Sequence, residues 1–416
     1  MKLRRLLKIA AVAVGVLIVI LVLVHRALIH EIGGASMFDP RDYLKRLSPA
    51  AVSMLEAAYS DLDAELVFDG HVHLPGLGTD ASGCRLNAKM QSWAHPRARV
   101  QFLIYADAAR IRDLEHADRQ YVERLVDLAH AISKHGKLGL LAFDAHYSKD
   151  GTLVEDETEM FTPNDWPVKI ALEFPDLFTP IASVHPYRRD AVQELARAAD
   201  MGCRIVKWLP NAMGIDPASD RCDPFYDAMA RRGMVLLSHA GEEHAVDADD
   251  AQEFGNPLRL RRALDRGVKV IVAHCASLGE GDDLDAEDGR RVENFDLFLR
   301  LMDDPRYVGK VFGEISAITQ TNRAGRPLAT MLERTDLHER LVNGTDYPLP
   351  AINALFSTRQ LERRGYITAV ERTHLNELYD VNPLAFDLVL KRTVKHPTKA
   401  TKFPASVFMT RAGLTR

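Results

Sequence analysis

Eight short apolar stretches, each ending in polar residues at the same end, recur along the chain, and amphipathic stretches separate most of them. They cover residues 66–73, 138–144, 178–185, 204–209, 234–239, 269–274, 308–316 and 341–346. Between them, residues 190–201, 223–232, 257–266, 295–303 and 327–340 carry apolar side chains at three- and four-residue spacing, the period of an amphipathic helix. Strands alternating with helices predict βα units and a parallel sheet. Eight such units predict an α/β fold closed into a (β/α)8 TIM barrel rather than an open doubly wound sheet. The 416 residues leave room for a barrel of about 250 residues plus insertions. The long interval 75–136 predicts an insertion after the first strand, with 113–134 as one amphipathic helix.

The chain opens with Lys2, Arg4, Arg5 and Lys8, followed by an uninterrupted apolar run, 9–24, and then His25 and Arg26. As a helix the run would span roughly 24 Å, slightly short of a bilayer core of about 30 Å, and Lys8 can snorkel to lengthen it. A transmembrane signal anchor over 1–30 is the expectation. The positive charges place the N-terminus in the cytoplasm and the rest of the chain on the non-cytoplasmic side. A cleaved signal stays open, because Gly33-Gly34-Ala35 is a possible cleavage site and Arg4-Arg5 resembles a twin-arginine signal. A buried core helix fits less well, since the run is apolar on every face. Residues 31–64 read as a connector with a short helix over 49–59, residues 65–395 as the barrel, and 396–416 as a loosely structured tail. The net charge of −5 argues against a nucleic-acid partner. Four cysteines make no disulfide framework, although Cys203 and Cys222 could pair in an exported domain.

The strongest local signal is Asp69-Gly70-His71-Val72-His73 at the end of the first strand. Alternation puts Asp69, His71 and His73 on one face, and two imidazoles at i and i+2 can converge on one metal ion. Alone, an HxH is a weak motif. Its context strengthens it: the fifth strand ends in His239, the sixth in His274 and the eighth in Gly344-Thr345-Asp346-Tyr347-Pro348. Imidazole nitrogen and carboxylate oxygen are the ligands that zinc and similar ions take. Barrel active sites lie where these strand ends meet. Glu314, at the end of the seventh strand, suits an acceptor behind a ligand imidazole.

On these residues the sequence resembles the amidohydrolase superfamily, and most closely the amidohydrolase-2 branch, which also contains decarboxylases of the aminocarboxymuconate-semialdehyde type. The resemblance implies that His71, His73, His239 and Asp346 bind one divalent metal, usually zinc. It also implies that His274 contacts the substrate or the activated water, and that Asp346 doubles as general base. Lys207, ending the fourth strand, is expected to face substrate or a carboxylate such as Glu242; in some superfamily members a carboxylated lysine there bridges two metals. His185, ending the third strand, is read as pocket wall or core, and Glu243 and His244 as loop residues. The expected function is hydrolysis of a C–N or C–O bond in a small molecule. A metal-dependent decarboxylase and an inactive membrane-anchored binding protein are the alternatives.

Overall fold

A computed structural model describes residues 24–34, 38–132, 134–246, 249–411 and 413–414. All eight expected strands are present in the expected order. They are β1 (Phe68–His73), β2 (Lys137–Leu141), β3 (Phe178–Ile181), β4 (Ile205–Trp208), β5 (Val235–Ser238), β6 (Lys269–Val272), β7 (Val311–Glu314) and β8 (Leu341–Val342). Parallel ladders join β1 to β2 and β2 to β3, and run unbroken from β4 to β8. The Ala182–Val206 bridge links β3 to β4, and the Val72–Tyr347 bridge links the end of β1 to the segment after β8. Closure is completed by Gly70 N donating to Asn343 O (3.1 Å), His73 N to Tyr347 O (3.0 Å) and Asp346 N to His71 O (2.7 Å).

Alternation decides what each strand buries. Phe68, Leu141, Ile181, Ile205, Val235, Leu237, Ile271, Phe312 and Val342 form one buried cluster in the barrel interior. Their neighbours Val206, Leu236, Val270, Val272 and Val311 belong to a second core, under the surrounding helices. Those helices include α1 (Pro49–Tyr59), α2 (Pro96–Ala108), α3 (Ala117–His130), α4 (Asp165–Glu173), α5 (Ala191–Asp200), α6 (Asp223–Arg232), α7 (Arg261–Asp265), α8 (Asn294–Asp303), α9 (Arg326–Glu333), α10 (Ala369–Val381) and α11 (Pro383–Thr393). The connector helix α1 starts where the sequence places it, because Ser48 accepts from Ala51 N and Pro49 occupies the first turn.

Three expectations change. The insertion holds two helices, α2 and α3, with α3 shorter than 113–134 because Leu114–His116 form a tight 3-10 turn before it. Residues after 395 are packed rather than loose: Phe403, Val407 and Phe408 are buried, Met409 pairs with Val67, and Leu414 joins the interior cluster at the barrel's bottom end. All four cysteines are free and buried, so Cys203 and Cys222 do not pair. Among the described residues no helix is long and apolar enough to cross a membrane. The run 9–23 lies outside the described residues; residues 24–33 are helical.

Candidate metal centre and active site

Six of the nine expected residues line one cavity of about 150 Å³ at the C-terminal mouth of the barrel: His71, His73, Lys207, His239, His274 and Asp346. Ligand atoms of His71, His274 and Asp346 all lie within 4.8 Å of one another. His71 Nε2 is 3.4 Å and His73 Nε2 3.0 Å from Asp346 Oδ1, and His274 Nε2 is 3.8 Å from Asp346 Oδ2. The His239 ring stands 5.1 Å from that of His274, centroid to centroid.

The strands deliver these side chains by different routes. Phe68 faces the interior, so simple alternation would turn His71 outward; the register shift between Asp69 and Val72 brings it, with His73, to the cavity. His239 follows simple alternation from Leu237. His274 does not: Ile271 and Ala273 already face the barrel interior, so the next residue would face outward. Left-handed backbone at His274, Cys275 and Ala276 (φ 57°, 50° and 47°) turns the imidazole back into the cavity. Asp346 is also left-handed, at φ 61°. Its loop is pinned from behind by the buried Lys391 of α11, whose Nζ donates to Gly344 O (2.6 Å) and Asp387 Oδ2 (2.5 Å). Gly344 has no substitute here, since a Cβ would overlap the Glu314 carboxylate and lie 2.6 Å from His71 Cβ. Asp69 sits beneath the cavity rather than in it; its carboxylate accepts from His71 N (3.1 Å), Thr345 N (2.8 Å) and Thr345 Oγ1 (2.6 Å), locking β1 to the β8 loop.

Hydrogen bonds behind the imidazoles set their tautomers. Glu314 Oε2 is 3.3 Å from His71 Nδ1 and 2.6 Å from Ser316 Oγ, and Ser316 Oγ is 2.6 Å from His274 Nδ1. The arrangement in which both Nδ1 atoms carry the proton leaves the Nε2 lone pairs of His71 and His274 toward the cavity. His239 Nδ1 similarly faces Glu243 Oε2 at 3.4 Å, and its buried Nε2 has no hydrogen-bond partner. Burial, together with the Lys207 ammonium, pushes His71 and His239 below the usual imidazole range; burial does the same to His274. Burial opposes the charge on Asp346, but the surrounding imidazoles hold it well below the usual carboxylate range. Neutral nitrogens beside a carboxylate, one of them buried and unpartnered, fit a divalent cation.

Of the expected neighbours, Glu242 departs from its expected place, while Lys207 and His185 take one of the roles the sequence left open. Lys207 Nζ contacts His71 Nε2 at 3.2 Å rather than Glu242. Glu242 lies off the cavity beside His244 (3.3 Å), and the buried Glu243 takes its place behind His239. His185 is a core residue: its Nε2 donates to Met213 O (2.8 Å) and its Nδ1 accepts from Tyr187 N (3.1 Å), so both nitrogens are committed. Glu314 stands where expected, behind His71. Sequence reasoning missed Glu243 and Ser316; for Ser316 the signal was its place two residues after Glu314 on the same strand face.

The cavity's upper wall is apolar. Met90, Phe102 and Ile111 of the insertion, with Leu86 and Met160 from an antiparallel pair (Arg85–Leu86 with Met160–Phe161), cover the polar floor. Tyr105 Oη donates to Ala245 O (3.2 Å), and Gln101 Nε2 bonds the same carbonyl, so α2 is fastened to the loop after β5.

The sequence model of the family described as Amidohydrolase matches residues 68–354. The chain belongs to this family. It is accordingly a metal-dependent enzyme, and the match takes in every residue of the cavity floor. No curated protein matches the chain by sequence. Among solved structures, a TIM-barrel protein from Bordetella bronchiseptica is similar at 15% identity and TM-score 0.46, covering 77% of this chain and 99% of its own. A probable 2-pyrone-4,6-dicarboxylic acid hydrolase from Acinetobacter baumannii is similar at 14% identity and TM-score 0.42, covering 77% and 95%. A 5-carboxyvanillate decarboxylase from Sphingomonas paucimobilis is similar at 13% identity and TM-score 0.43, covering 83% and 96%.

Proposed function

We propose that this amidohydrolase-family enzyme hydrolyses a C–N or C–O bond of a small molecule with one divalent ion, zinc, held by His71, His73, His239 and Asp346. The observation that carries this reading is the buried, unpartnered Nε2 of His239 in a cavity that also presents the Nε2 atoms of His71, His73 and His274 around one carboxylate. When bound, the ion supplies Lewis acidity, acidifying water and polarising a substrate carbonyl.

The chain's own groups complete the chemistry. Asp346 accepts a proton from the attacking water at a carboxylate oxygen and returns it to the leaving nitrogen or oxygen. His274, its Nδ1 committed to Ser316, is positioned beside Asp346 to hydrogen-bond the reacting groups. Lys207 adds a buried cation that favours developing negative charge. Glu314 and Glu243 keep the imidazoles oriented. The same residues would serve a decarboxylase, so the test must offer both substrate types. Metal content is measured on the full-length enzyme and on a His71→Ala/His239→Ala variant, and turnover is measured on amides, lactones and aromatic acids. About one ion per chain, lost in the variant, with turnover of an amide or lactone is the expected result. Stoichiometric metal in the variant overturns the ligand assignment; release of carbon dioxide from an aromatic acid alone overturns hydrolysis.

We also propose that the run 9–24 anchors the enzyme in a membrane with the barrel on the non-cytoplasmic side, the orientation that the preceding cations favour. Strong signal from a C-terminal reporter that works only in the cytoplasm would reverse this.

A further inference from the structure

The insertion carries a feature that hydrolysis alone does not need. Residues 81–106 contain Arg85, Lys89, Arg97 and Arg99 and no acidic residue, in a chain whose net charge is −5. Within this basic stretch Trp93 is 61% exposed. An exposed tryptophan among cations is the composition of a segment that rests at a lipid headgroup layer.

The structure sets this stretch against the helix that continues the apolar run. His25 of the 24–33 helix packs on Trp93 (ring centroids 5.7 Å apart). His30 Nδ1 lies 3.0 Å from Asp107 Oδ2 of α2, and Gly33 fits so closely that a Cβ would lie 3.0 Å from the same oxygen. Val24 and Leu28, four residues apart and so on one helix face, are 58% and 56% exposed. The helix thus leads directly from the apolar run to α2, whose other side is cavity wall. One layer of side chains separates the two: the Arg99 guanidinium lies 5.5 Å from the Trp93 ring and 5.2 Å from the ring of Phe102, which lines the cavity.

We propose that Val24, Leu28 and Trp93, with Lys89, Arg97 and Arg99 around them, rest on an anionic phospholipid bilayer. From there the apolar cavity receives a substrate dissolved in that bilayer: an amide or ester bearing a long alkyl portion. The occupant of this face is lipid because Val24 continues, in the sequence, an apolar run of 16 residues (9–24), and because Lys89, Arg97 and Arg99 are complementary to anionic headgroups. The apolar upper wall takes the alkyl portion and the polar floor takes the scissile group. The substrate class rests on the hydrolase reading; the surface does not.

The test uses the full chain reconstituted into phosphatidylcholine–phosphatidylglycerol vesicles whose acyl chains carry bromine, a contact quencher of tryptophan. The chain has three tryptophans; Trp166 and Trp208 are buried, and none precedes residue 25. Quenching therefore reports Trp93. The expected result is a loss of emission equal to the Trp93 share, absent in Trp93→Phe. No loss, or the same loss in Trp93→Phe, overturns the surface. Protection of Trp93 from both bromolipid and aqueous acrylamide also overturns it, by placing a second protein chain there. In unbrominated vesicles, an N-dodecanoyl amide is expected to exceed the N-acetyl amide of the same amine in kcat/KM by at least about tenfold, less than two buried methylenes supply. Leu28→Ser/Trp93→Ser is expected to lower that ratio severalfold. Equal turnover of the two amides overturns the substrate class. Turnover of neither overturns the substrate class and leaves the hydrolase reading to the panel of amides, lactones and aromatic acids, while the quenching result still decides the surface.

Discussion

The floor and the upper wall of the cavity are built on opposite principles. The floor consists of side chains at the ends of β1, β4, β5, β6 and β8; among them His71, His274, His239 and the loop carrying Asp346 are braced from behind by the buried Glu314, Ser316, Glu243 and Lys391. The upper wall is a set of apolar side chains on an insertion and its short strand pair, fastened to the barrel by a few hydrogen bonds such as that of Tyr105 to Ala245. Rigid elements hold the groups that must stay in register with reacting atoms, and a connecting segment shapes what is admitted. If that division is real, floor variants change metal and rate, and wall variants change only apparent affinity.

The largest expected effect is on the floor. Asp346→Asn keeps an oxygen near the three imidazoles but cannot accept a proton, so turnover is expected to fall roughly 10²–10⁴-fold, far more than metal content. Turnover and bound metal measured on the same samples check this; parallel loss of both would leave Asp346 a ligand only. Next is the bracing behind the floor. Glu314→Gln weakens the hold on His71 and His274 and is expected to reduce metal affinity roughly 10–100-fold, read by competition with a chelating dye. An unchanged affinity would mean the imidazoles orient themselves. The wall follows: Phe102→Ala removes apolar contact from the cavity, and KM for an alkyl-bearing substrate is expected to rise about tenfold with metal content unchanged. Metal loss in this variant would dissolve the distinction between floor and wall.

The smallest effect on turnover concerns His185, a strand-end histidine outside the site. His185→Gln is expected to leave kcat within about twofold, since the side chain touches no cavity residue's working atoms. Its signature is in stability instead. Burial lowers His185 to about 3 in the fold against 6.5 for the free side chain. The unfolded chain therefore binds the extra proton between those values, and stability falls as pH drops from about 6.5 toward 3. Urea titrations across that window are expected to show a shallower acid loss in His185→Gln; an identical slope would place the proton elsewhere.

How much was legible follows from the same division. The eight strands, their order and the residues at their ends could be read because alternation and the barrel's geometry relate sequence position directly to the mouth. His185 matched that pattern and still went to the core, because β3 ends at Ile181 and the chain has turned toward Met213 by residue 185. His274 was read correctly as a cavity residue, although alternation misplaces it; three consecutive left-handed residues are not encoded by any glycine there. Glu243 was passed over because a loop has no periodicity to say which carboxylate turns inward, and its neighbour Glu242 looked equivalent. The helix α2 was hidden for a related reason: Val100, Phe102, Leu103 and Ile104 do not form a clean stripe, since the helix has the cavity on one side and the 24–33 helix on the other.

Glu314 gives the floor a property that no single residue reveals. One carboxylate holds His71 directly and His274 through the Ser316 hydroxyl, so two histidine-bearing strands share a single tether. Removing either imidazole loosens the tether on the other, and the second loss then has less left to take away. Substitutions at these two positions are therefore expected to be non-additive. The strands β1 and β6 are thus expected to respond to substitution at His71 and His274 as one unit.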